Sequence, residues 1–112
     1  LWAGFACAEL PMFQTKFNKA PLERVSQDAE QGSAEAQLEL ALRYYAGHQV
    51  DQDAQKAFVW MRESAEQNLP LAMELISQMY ADGIGVSADQ VKAEGWFVKA
   101  LALNTFHQFP NS

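Results

Sequence analysis

Residues 36–68, AQLELALRYYAGHQVDQDAQKAFVWMRESAEQN, are followed 36 positions later by a related stretch, residues 72–104, AMELISQMYADGIGVSADQVKAEGWFVKALALN. Identical residues recur at this spacing as the pairs Ala36/Ala72, Tyr44/Tyr80, Gly47/Gly83, Val50/Val86, Asp53/Asp89, Lys56/Lys92, Ala57/Ala93, Trp60/Trp96 and Asn68/Asn104. Unrelated segments of this composition would share only about two identities. Internal periods of roughly 20–50 residues are typical of solenoid proteins, so this repetition decides the fold.

Each repeated unit is predicted to be a pair of antiparallel helices. Apolar residues recur every four positions in the first half of each unit, as Ala36, Leu40 and Tyr44 and then Ala72, Ile76 and Tyr80. The second half follows an i, i+3, i+4, i+7, i+8 pattern, as Ala57, Trp60, Met61, Ser64 and Ala65 and then Ala93, Trp96, Phe97, Ala100 and Leu101. Both patterns predict helices with one apolar face that packs against its neighbours.

A fainter copy precedes these units, because Ala29 and Gly32 fall where Ala65 and Asn68 fall in the next unit. We therefore predict an all-α fold, a short α/α solenoid (superhelix) of two full 36-residue helix-turn-helix repeats, at about 34–69 and 70–105, preceded by a half repeat. Its structural core is expected to comprise Leu40, Tyr44, Gly47, Val50, Ala57, Trp60, Ile76, Tyr80, Gly83, Val86, Ala93 and Trp96.

Residues between the helices supply the expected stop and start signals. Gly47 and Gly83 stand where the first helix of each unit needs a left-handed C-cap, which a residue without Cβ adopts most easily. Asp53 and Asp89 follow at positions suited to capping the next helix. Pro70 is placed to begin the second unit, since proline is favoured in a first helical turn.

These residues resemble the Sel-1-like repeat, a relative of the tetratricopeptide repeat, over Leu22 to Asn104. The motif positions also include Gly85, Lys99 and Ala100 of the second unit. Departures from the pattern are Ala41 and Ser77 for a helix glycine, Gln49 for a loop glycine, Glu63 and Ser64 for Lys-Ala, and Asn68 and Asn104 for the closing glycine. Asparagine tolerates the left-handed conformation, whereas Gln49 is expected to alter the first loop.

Size and charge exclude several classes of protein. A chain of 112 residues is long enough for one domain and too short for two substantial cores. Its 8 Lys and Arg against 14 Asp and Glu give a formal charge of -6, which is the wrong sign for binding nucleic acid. A single cysteine, Cys7, makes neither an intramolecular disulfide nor a zinc site. No stretch reaches the roughly 18–20 apolar residues of a membrane-spanning helix.

Residues 1–13 form an apolar N-terminal segment that we distinguish from a repeat domain at 14–112. Residues 1–9 are similar to the last part of a secretory signal peptide, although a basic n-region is absent. Ala6-Cys7-Ala8 fits cleavage after Ala8, whereas Gly4-Phe5-Ala6-Cys7 is an imperfect lipobox that would make Cys7 a lipidation site. The remaining alternative is a capping helix in which Cys7 is buried.

The resemblance implies a non-catalytic protein-protein interaction scaffold, such as an adaptor or small accessory subunit of a membrane-associated complex. A free periplasmic adaptor or inhibitor and an envelope polysaccharide-binding scaffold are the alternatives. The resemblance favours a periplasmic or envelope location, with the cytoplasm left open. It leaves self-association open too, and any membrane association would go through the N-terminus or a partner. We expect protein contacts on the concave helix faces plus one exposed end.

No enzyme or cofactor site is expected. His48 and His107 lie in no catalytic or metal-binding motif, and the loop Asp51-Gln52-Asp53 lacks the later glycine and glutamate of a calcium-binding hand. Cysteine-rich Sel-1-like proteins are associated with penicillin binding or hydrolysis, but a chain with one cysteine lacks their paired cysteines. A solenoid of fewer than about three units needs covered ends. The candidate covers are the N-terminal aromatic and aliphatic residues, the tail or a partner: Trp2, Phe5, Leu10, Met12, Phe13, Phe17, Phe106 and Phe109.

Overall fold

A computed structural model describes residue 17 and residues 19–108, with side chains described as far as residue 103. Within these residues the chain forms only helices, namely α1 (Leu22–Glu30), α2 (Ala34–Ala46), α3 (Ala54–Ala65), α4 (Pro70–Asp82) and α5 (Gln90–Gln108). Each helix packs against the next one along the chain. The arrangement confirms the predicted short α/α solenoid: α2 and α3 form one unit, α4 and α5 the next, and α1 the half unit before them.

Side-chain caps start three of the helices. The Ser33 hydroxyl accepts a hydrogen bond from the Ala36 amide (3.2 Å) at the start of α2. The carboxylate of Asp53 accepts from the Lys56 amide at the start of α3, and Asp89 does the same at the start of α5, each at 3.1 Å. These caps satisfy amides that the first helical turn leaves without an intrahelical acceptor, which is why short polar side chains stand at these positions.

The loops within the two units share one backbone conformation. Gly47 and Gly83 end α2 and α4 with φ of 74° and 71°. Two residues further on, Gln49 and Gly85 also have positive φ, of 66° and 71°. The expectation that Gln49 alters the first loop is therefore wrong, because glutamine adopts there the left-handed conformation that glycine adopts in the second loop.

Hydrogen bonds confirm that the loops match. The Asp53 amide donates to the Tyr44 carbonyl at 2.8 Å, and the Asp89 amide donates to the Tyr80 carbonyl at 2.9 Å. Each bond closes its loop back onto the last turn of the preceding helix. The first helix of a unit therefore holds the start of the second, which fixes how the two helices pack.

The main core lies between α2, α3, α4 and α5. The Phe58 and Tyr80 rings meet edge to face across the α3–α4 boundary, with centroids 5.3 Å apart. Buried serines add hydrogen bonds within each unit: the Ser64 hydroxyl donates to the Ala34 carbonyl and the Ser77 hydroxyl to the Ala93 carbonyl, each at 2.7 Å. Both serines are departures from the repeat pattern, and these bonds give each buried hydroxyl a hydrogen-bond partner.

A polar network lies within the α1–α2 end of the core. Glu39 and Arg43 are fully buried on α2, and the Arg43 guanidinium bonds to the Glu39 carboxylate at 2.7 Å. The same guanidinium donates to the carbonyl oxygens of Phe17 and Ala20 at 3.0 and 2.7 Å. It also donates to the side-chain oxygen of Gln49 at 2.8 Å. Arg43 therefore ties α2 to the residues that precede α1 and to the first loop.

The two units differ in how their second helices end. Asn68 has φ of 66° and follows the end of α3, as its position predicts. The equivalent Asn104 lies inside α5, which continues to residue 108, so the expectation that Asn104 closes its unit is wrong. Pro70 forces the turn after Asn68, because the residue before a proline avoids the helical region. No proline stands at the matching position after Asn104.

Candidate functional site

The predicted core residues occupy several environments. Five are buried, namely Leu40, Ala57, Ile76, Tyr80 and Ala93. Five are half-buried, namely Tyr44, Val50, Trp60, Val86 and Trp96. Gly47 and Gly83 are exposed at the helix ends. The lipidation candidate Cys7, the rest of residues 1–13, and the side chains of Phe106, His107 and Phe109 lie outside the described residues.

The second helix of the last unit leaves part of its predicted packing face uncovered. Phe97 and Leu101 are 48% and 47% exposed, whereas Met61 and Ala65 at the same positions of α3 are fully buried. The expectation that these residues share one packed face is therefore wrong for α5. We call the side of α5 with Phe97 and Leu101 the open side.

Packing against the next unit explains why α3 differs. Phe58 contacts Tyr80 of α4, and a Cβ built at Gly85 would come within 2.1 Å of the Ala54 carbonyl oxygen. Met61 and Ala65 follow Phe58 at i+3 and i+7, so they lie on the same side of α3. The second unit thus covers this side of α3, and nothing within the described part of the chain covers the open side of α5.

A different side of α5, turned away from α4, is also apolar. Val91 and Val98 are 79% and 62% exposed. Gly95, which lies between them, and Ala102, which follows them, are also exposed. We call this row the outer side of α5. The same positions in α3 are Gln55, Val59, Arg62 and Glu66, of which Arg62 and Glu66 form an exposed ion pair at 3.0 Å. The outer face of α3 is therefore suited to water, and that of α5 is much less so.

A groove of about 260 Å³ lies at the edge of the outer side, lined by Lys92, Gly95, Trp96 and Lys99. Lys99 Nζ stands 4.9 Å from the centroid of the Trp96 ring, and Lys92 Nζ stands 5.7 Å from that of Tyr80. Among the described side chains, no carboxylate lies within ion-pair distance of either lysine. The groove thus presents two cations beside an indole that is already covered by one of them.

Gly95 opens this groove, and the fold does not require glycine there. A Cβ added at Gly95 would meet nothing within 4 Å, and the residue lies in ordinary helix. In α3, Val59 occupies the equivalent position and Glu63 replaces Lys99. Two of the four lining residues, Gly95 and Lys99, are therefore not repeated in the first unit. The signal available in the sequence was a glycine inside a helix together with apolar residues where the other unit is polar.

The first helices of the units offer less surface. On α2, residues 36–43 are all buried, so this helix contributes little to the concave face on which we expected protein contacts. Where α2 and α4 end, burial and the nearby Asp82 carboxylate raise the pKa of Tyr45 above its ordinary value. The Gln78 amide donates to the same Asp82 carboxylate at 2.7 Å.

The polar loop residues His48 and Asp53 do not belong to a metal-binding cluster. His48 is exposed in the first loop, and across residues 17 and 19–103 no group of three or more His, Cys, Asp or Glu side chains is arranged to hold a metal ion. None of the five helices, within the range described, combines the length and apolarity needed to cross a membrane. Asp53 caps α3, so it is engaged in the fold.

Two solved structures are similar to this chain. A Sel1 repeat protein from Oxalobacter formigenes superposes with a TM-score of 0.75 at 31% identity, over 80% of this chain and 68% of that one. The protein c5321, a protective antigen of uropathogenic Escherichia coli with the SLR fold, superposes with a TM-score of 0.73 at 39% identity, over 80% of this chain and 19% of that one.

Sequence comparison gives the same family. The secretory immunoglobulin A-binding protein EsiB of Escherichia coli O6:H1 is 38% identical over 60 residues, which make up 54% of this chain and 11% of EsiB. The chain spans about a tenth of the length of the curated relatives it matches. The Sel1 repeat family matches residues 34–69 and 70–104, so two units with the spacing and helix pairing described above are present. The chain therefore belongs to the Sel1 repeat family, whose members are protein-interaction scaffolds.

Proposed function

We propose that the chain is a non-catalytic adaptor, or a small accessory subunit of a membrane-associated complex, which holds a partner protein on the open side of α5. The observation that carries this proposal is the exposure of Phe97 and Leu101 at positions that the first unit buries. A partner helix with an apolar face would occupy the place on α5 that α4 occupies on α3. Such a partner would extend the solenoid packing by one helix.

The energy available from this contact is modest but useful. Fully burying a Leu or Phe side chain contributes about 1.5–3 kcal/mol, so covering two half-exposed ones would contribute roughly 2 kcal/mol in total. Large exposed apolar residues that cluster on one surface are typical of interaction sites. Four of the five large exposed apolar residues in the described chain lie on α5, and two of them, Phe97 and Leu101, form the open side.

The test uses a photo-crosslinking residue placed at position 97 of the full-length tagged chain in its native cells. A control places the same residue at position 55, an exposed position of α3. The expected result is one partner captured from position 97 alone. Rebinding of that purified partner should be weakened about tenfold by Phe97→Ser together with Leu101→Ser, with unchanged circular dichroism. Rebinding that is unaffected by both serines would overturn the proposal.

We further propose that the protein acts in the cell envelope, either in the periplasm or at a membrane. Support comes from the apolar, small-residue composition of residues 1–9 and from similar proteins named as a protective antigen and an immunoglobulin-binding protein. Intact mass of the mature protein separates the alternatives. Lipid on Cys7, or retention of residues 1–13, would favour a fixed subunit, and cleavage after Ala8 would favour a free adaptor or inhibitor.

A polysaccharide-binding scaffold has less support. Sugar rings stack on free aromatic faces, whereas the Trp96 face carries the Lys99 ammonium at 4.9 Å. Tyr44 and Tyr80 each carry a lysine in the same way, with Lys56 and Lys92 at 5.5 and 5.7 Å. These described aromatic rings are therefore engaged by the chain's own cations.

A further inference from the structure

We infer that the outer side of α5 is a second docking surface, distinct from the open side, for an α-helix of a partner protein that carries carboxylates two helical turns apart. This inference adds a site to the proposed function, because the outer side and the open side use different residues. The outer side could bind such a helix whether the protein acts in the periplasm or at a membrane. The observations behind it are the spacing of the exposed residues, the glycine between them and the unneutralised lysines at their edge.

The spacing fits helix-on-helix packing. Val91, Gly95, Val98 and Ala102 are separated by four, three and four residues. This is the spacing of the seam residues of a coiled coil, which keeps one stripe facing a partner helix. All four are exposed within the described chain, on the side of α5 opposite to the buried Ala93 and Ala100. The stripe is therefore available along most of the described length of α5.

Gly95 is the feature that the fold alone does not explain. Glycine inside a helix is less stable than alanine, and no contact within the described chain requires a glycine at this position. A Cβ at this position would meet nothing within 4 Å in the chain itself. Without a Cβ, the backbone of a partner helix can approach α5 more closely at the centre of the stripe.

Lysines select the charge of the partner. Lys92 and Lys99 flank the stripe on one edge, seven residues or about 10 Å apart along the helix axis. In paired helices the residues beside the seam choose a partner of opposite charge. No described carboxylate neutralises them, although the chain as a whole has a formal charge of -6. The fitting partner therefore bears Asp or Glu residues seven positions apart beside an apolar stripe.

The first unit supports the same conclusion by contrast. Its α3 has Gln55, Arg62 and Glu66 on the corresponding stripe, Val59 in the place of Gly95, and Glu63 in the place of Lys99. The α3 stripe thus carries three polar residues, a valine side chain stands at the position of Gly95, and an acidic residue stands at the position of Lys99. If the α5 stripe were only an accident of the repeat, both helices would share it.

An anionic membrane fits this surface less well. Basic helices that lie on membranes present several Lys or Arg on one face, whereas α5 presents two and the whole chain is acidic. A net charge of -6 repels an anionic lipid surface. A single acidic helix needs only the local pair of lysines and the apolar stripe, so it is the better match.

The experiment uses the full chain and two synthetic helical peptides of three heptads. Both carry leucine at the seam positions, and one carries Glu and the other Lys at the flanking positions. Binding is followed by fluorescence anisotropy of the labelled peptide and by NMR spectra of the amide and indole groups of the protein. The Glu peptide is expected to bind about tenfold more tightly than the Lys peptide and to shift the Gly95 amide and the Trp96 indole signals.

Three variants sharpen this test. Lys92→Glu with Lys99→Glu should reverse the preference, and Gly95→Val should weaken binding of the Glu peptide about tenfold while leaving the helix content intact. Lys56→Glu, a change at the position of α3 that matches Lys92, is the control and should leave binding unchanged. Gly95→Val changes no charge and acts only by filling the groove with a side chain. It therefore tests the inference even if the double charge reversal disturbs folding.

Other outcomes would overturn the inference. Equal binding of the two peptides would remove the charge selection, and no binding would remove the site. Binding to vesicles of phosphatidylglycerol in place of the Glu peptide, lost on the double charge reversal, would assign the surface to lipid. The serine variant of Phe97 and Leu101 separates this site from the proposed function. Suppose that the serine variant no longer binds the Glu peptide while the Gly95→Val variant still binds it normally. The peptide would then lie on the open side, and the outer side would not be a second docking surface.

Discussion

Arg43 Nε and Glu39 Oε2 lie 2.7 Å apart on α2, and both residues are fully buried. In the second unit the equivalent residues are Met79 and Leu75, so the same repeat position is charged in one unit and apolar in the other. The difference follows from what each position faces. Arg43 reaches carbonyl groups of the residues before α1, whereas Met79 lies in the apolar core between helices.

Removing one member of this pair should be costly. We expect Arg43→Met to lower the free energy of unfolding by about 3–5 kcal/mol, because it leaves the Glu39 carboxylate buried without its cation. The double variant Glu39→Leu with Arg43→Met, which installs the residues of the second unit, should recover part of that loss. Urea denaturation followed by circular dichroism measures both. Arg24→Met is the control, since Arg24 is an exposed member of a 3.7 Å pair with Asp28. A double variant no more stable than the single one would contradict this account.

The two aspartate caps should contribute similar amounts. Asp53→Ala and Asp89→Ala should each lower the free energy of unfolding by about 1 kcal/mol, because each removes the acceptor for a first-turn amide. Asp53→Ser and Asp89→Ser keep an oxygen at the same place and should cost less. Thermal unfolding of the four variants provides the measurement. Equal losses for Ala and Ser would mean that the aspartates stabilise the helices through the attraction of their negative charge to the helix dipole, and not through the hydrogen bond.

One substitution at two glycines should have opposite effects. Gly85→Ala should lower the free energy of unfolding by at least about 2 kcal/mol, because φ is 71° there and the new Cβ would lie 2.1 Å from the Ala54 carbonyl oxygen. Gly95→Ala should raise it by about 0.5–1 kcal/mol, because helical glycine is disfavoured and the space is open. Chemical denaturation of both variants checks the pair. A stabilised Gly85→Ala would show that the two units do not meet as closely as described.

Tyr45 should make stability fall at high pH. Burial, and next the charge of Asp82, raise the pKa of Tyr45 above its ordinary value of 10.0. Below that value the phenol is protonated in both the folded and the unfolded chain, so it adds no pH dependence. As the pH rises above about 10, the unfolded chain releases the proton more readily, and the free energy of unfolding decreases.

The variant Tyr45→Phe isolates this contribution. It should show a smaller decrease of stability between about pH 9 and 11 than the unmodified chain. Asp82→Asn should give an intermediate decrease, because burial still acts on Tyr45. Denaturation midpoints at several pH values supply the comparison. Identical slopes for the unmodified chain and Tyr45→Phe would rule out Tyr45 as their source.

Much of the fold could be predicted from local signals in the sequence. The apolar spacing from Ala36 to Tyr44 identified α2, Gly47 marked its end, and Asp53 marked the start of α3. Each signal works over a single turn of chain, where backbone conformation and capping hydrogen bonds involve near neighbours. A second copy of the same signals 36 residues later made a solenoid the expected arrangement.

The candidate site depended on contacts that the repeat pattern does not contain. Phe97 and Met61 share a repeat position, and their exposures of 48% and 0% differ because α4 covers α3 while no described element covers α5. Gln49 and Gly85 also share a repeat position. Gly85 lies so close to the Ala54 carbonyl oxygen that a Cβ would not fit there, whereas the first loop accommodates the Gln49 side chain.

The sequence by itself therefore determined the helix pairs, the two aspartate caps and the family. Only the tertiary structure decided which apolar faces are buried, that Glu39 and Arg43 lie inside, and that α5 presents two exposed apolar sides. The physical reason is that secondary structure follows from interactions within a few residues, whereas burial is a property of the neighbours that a folded chain places around each side chain.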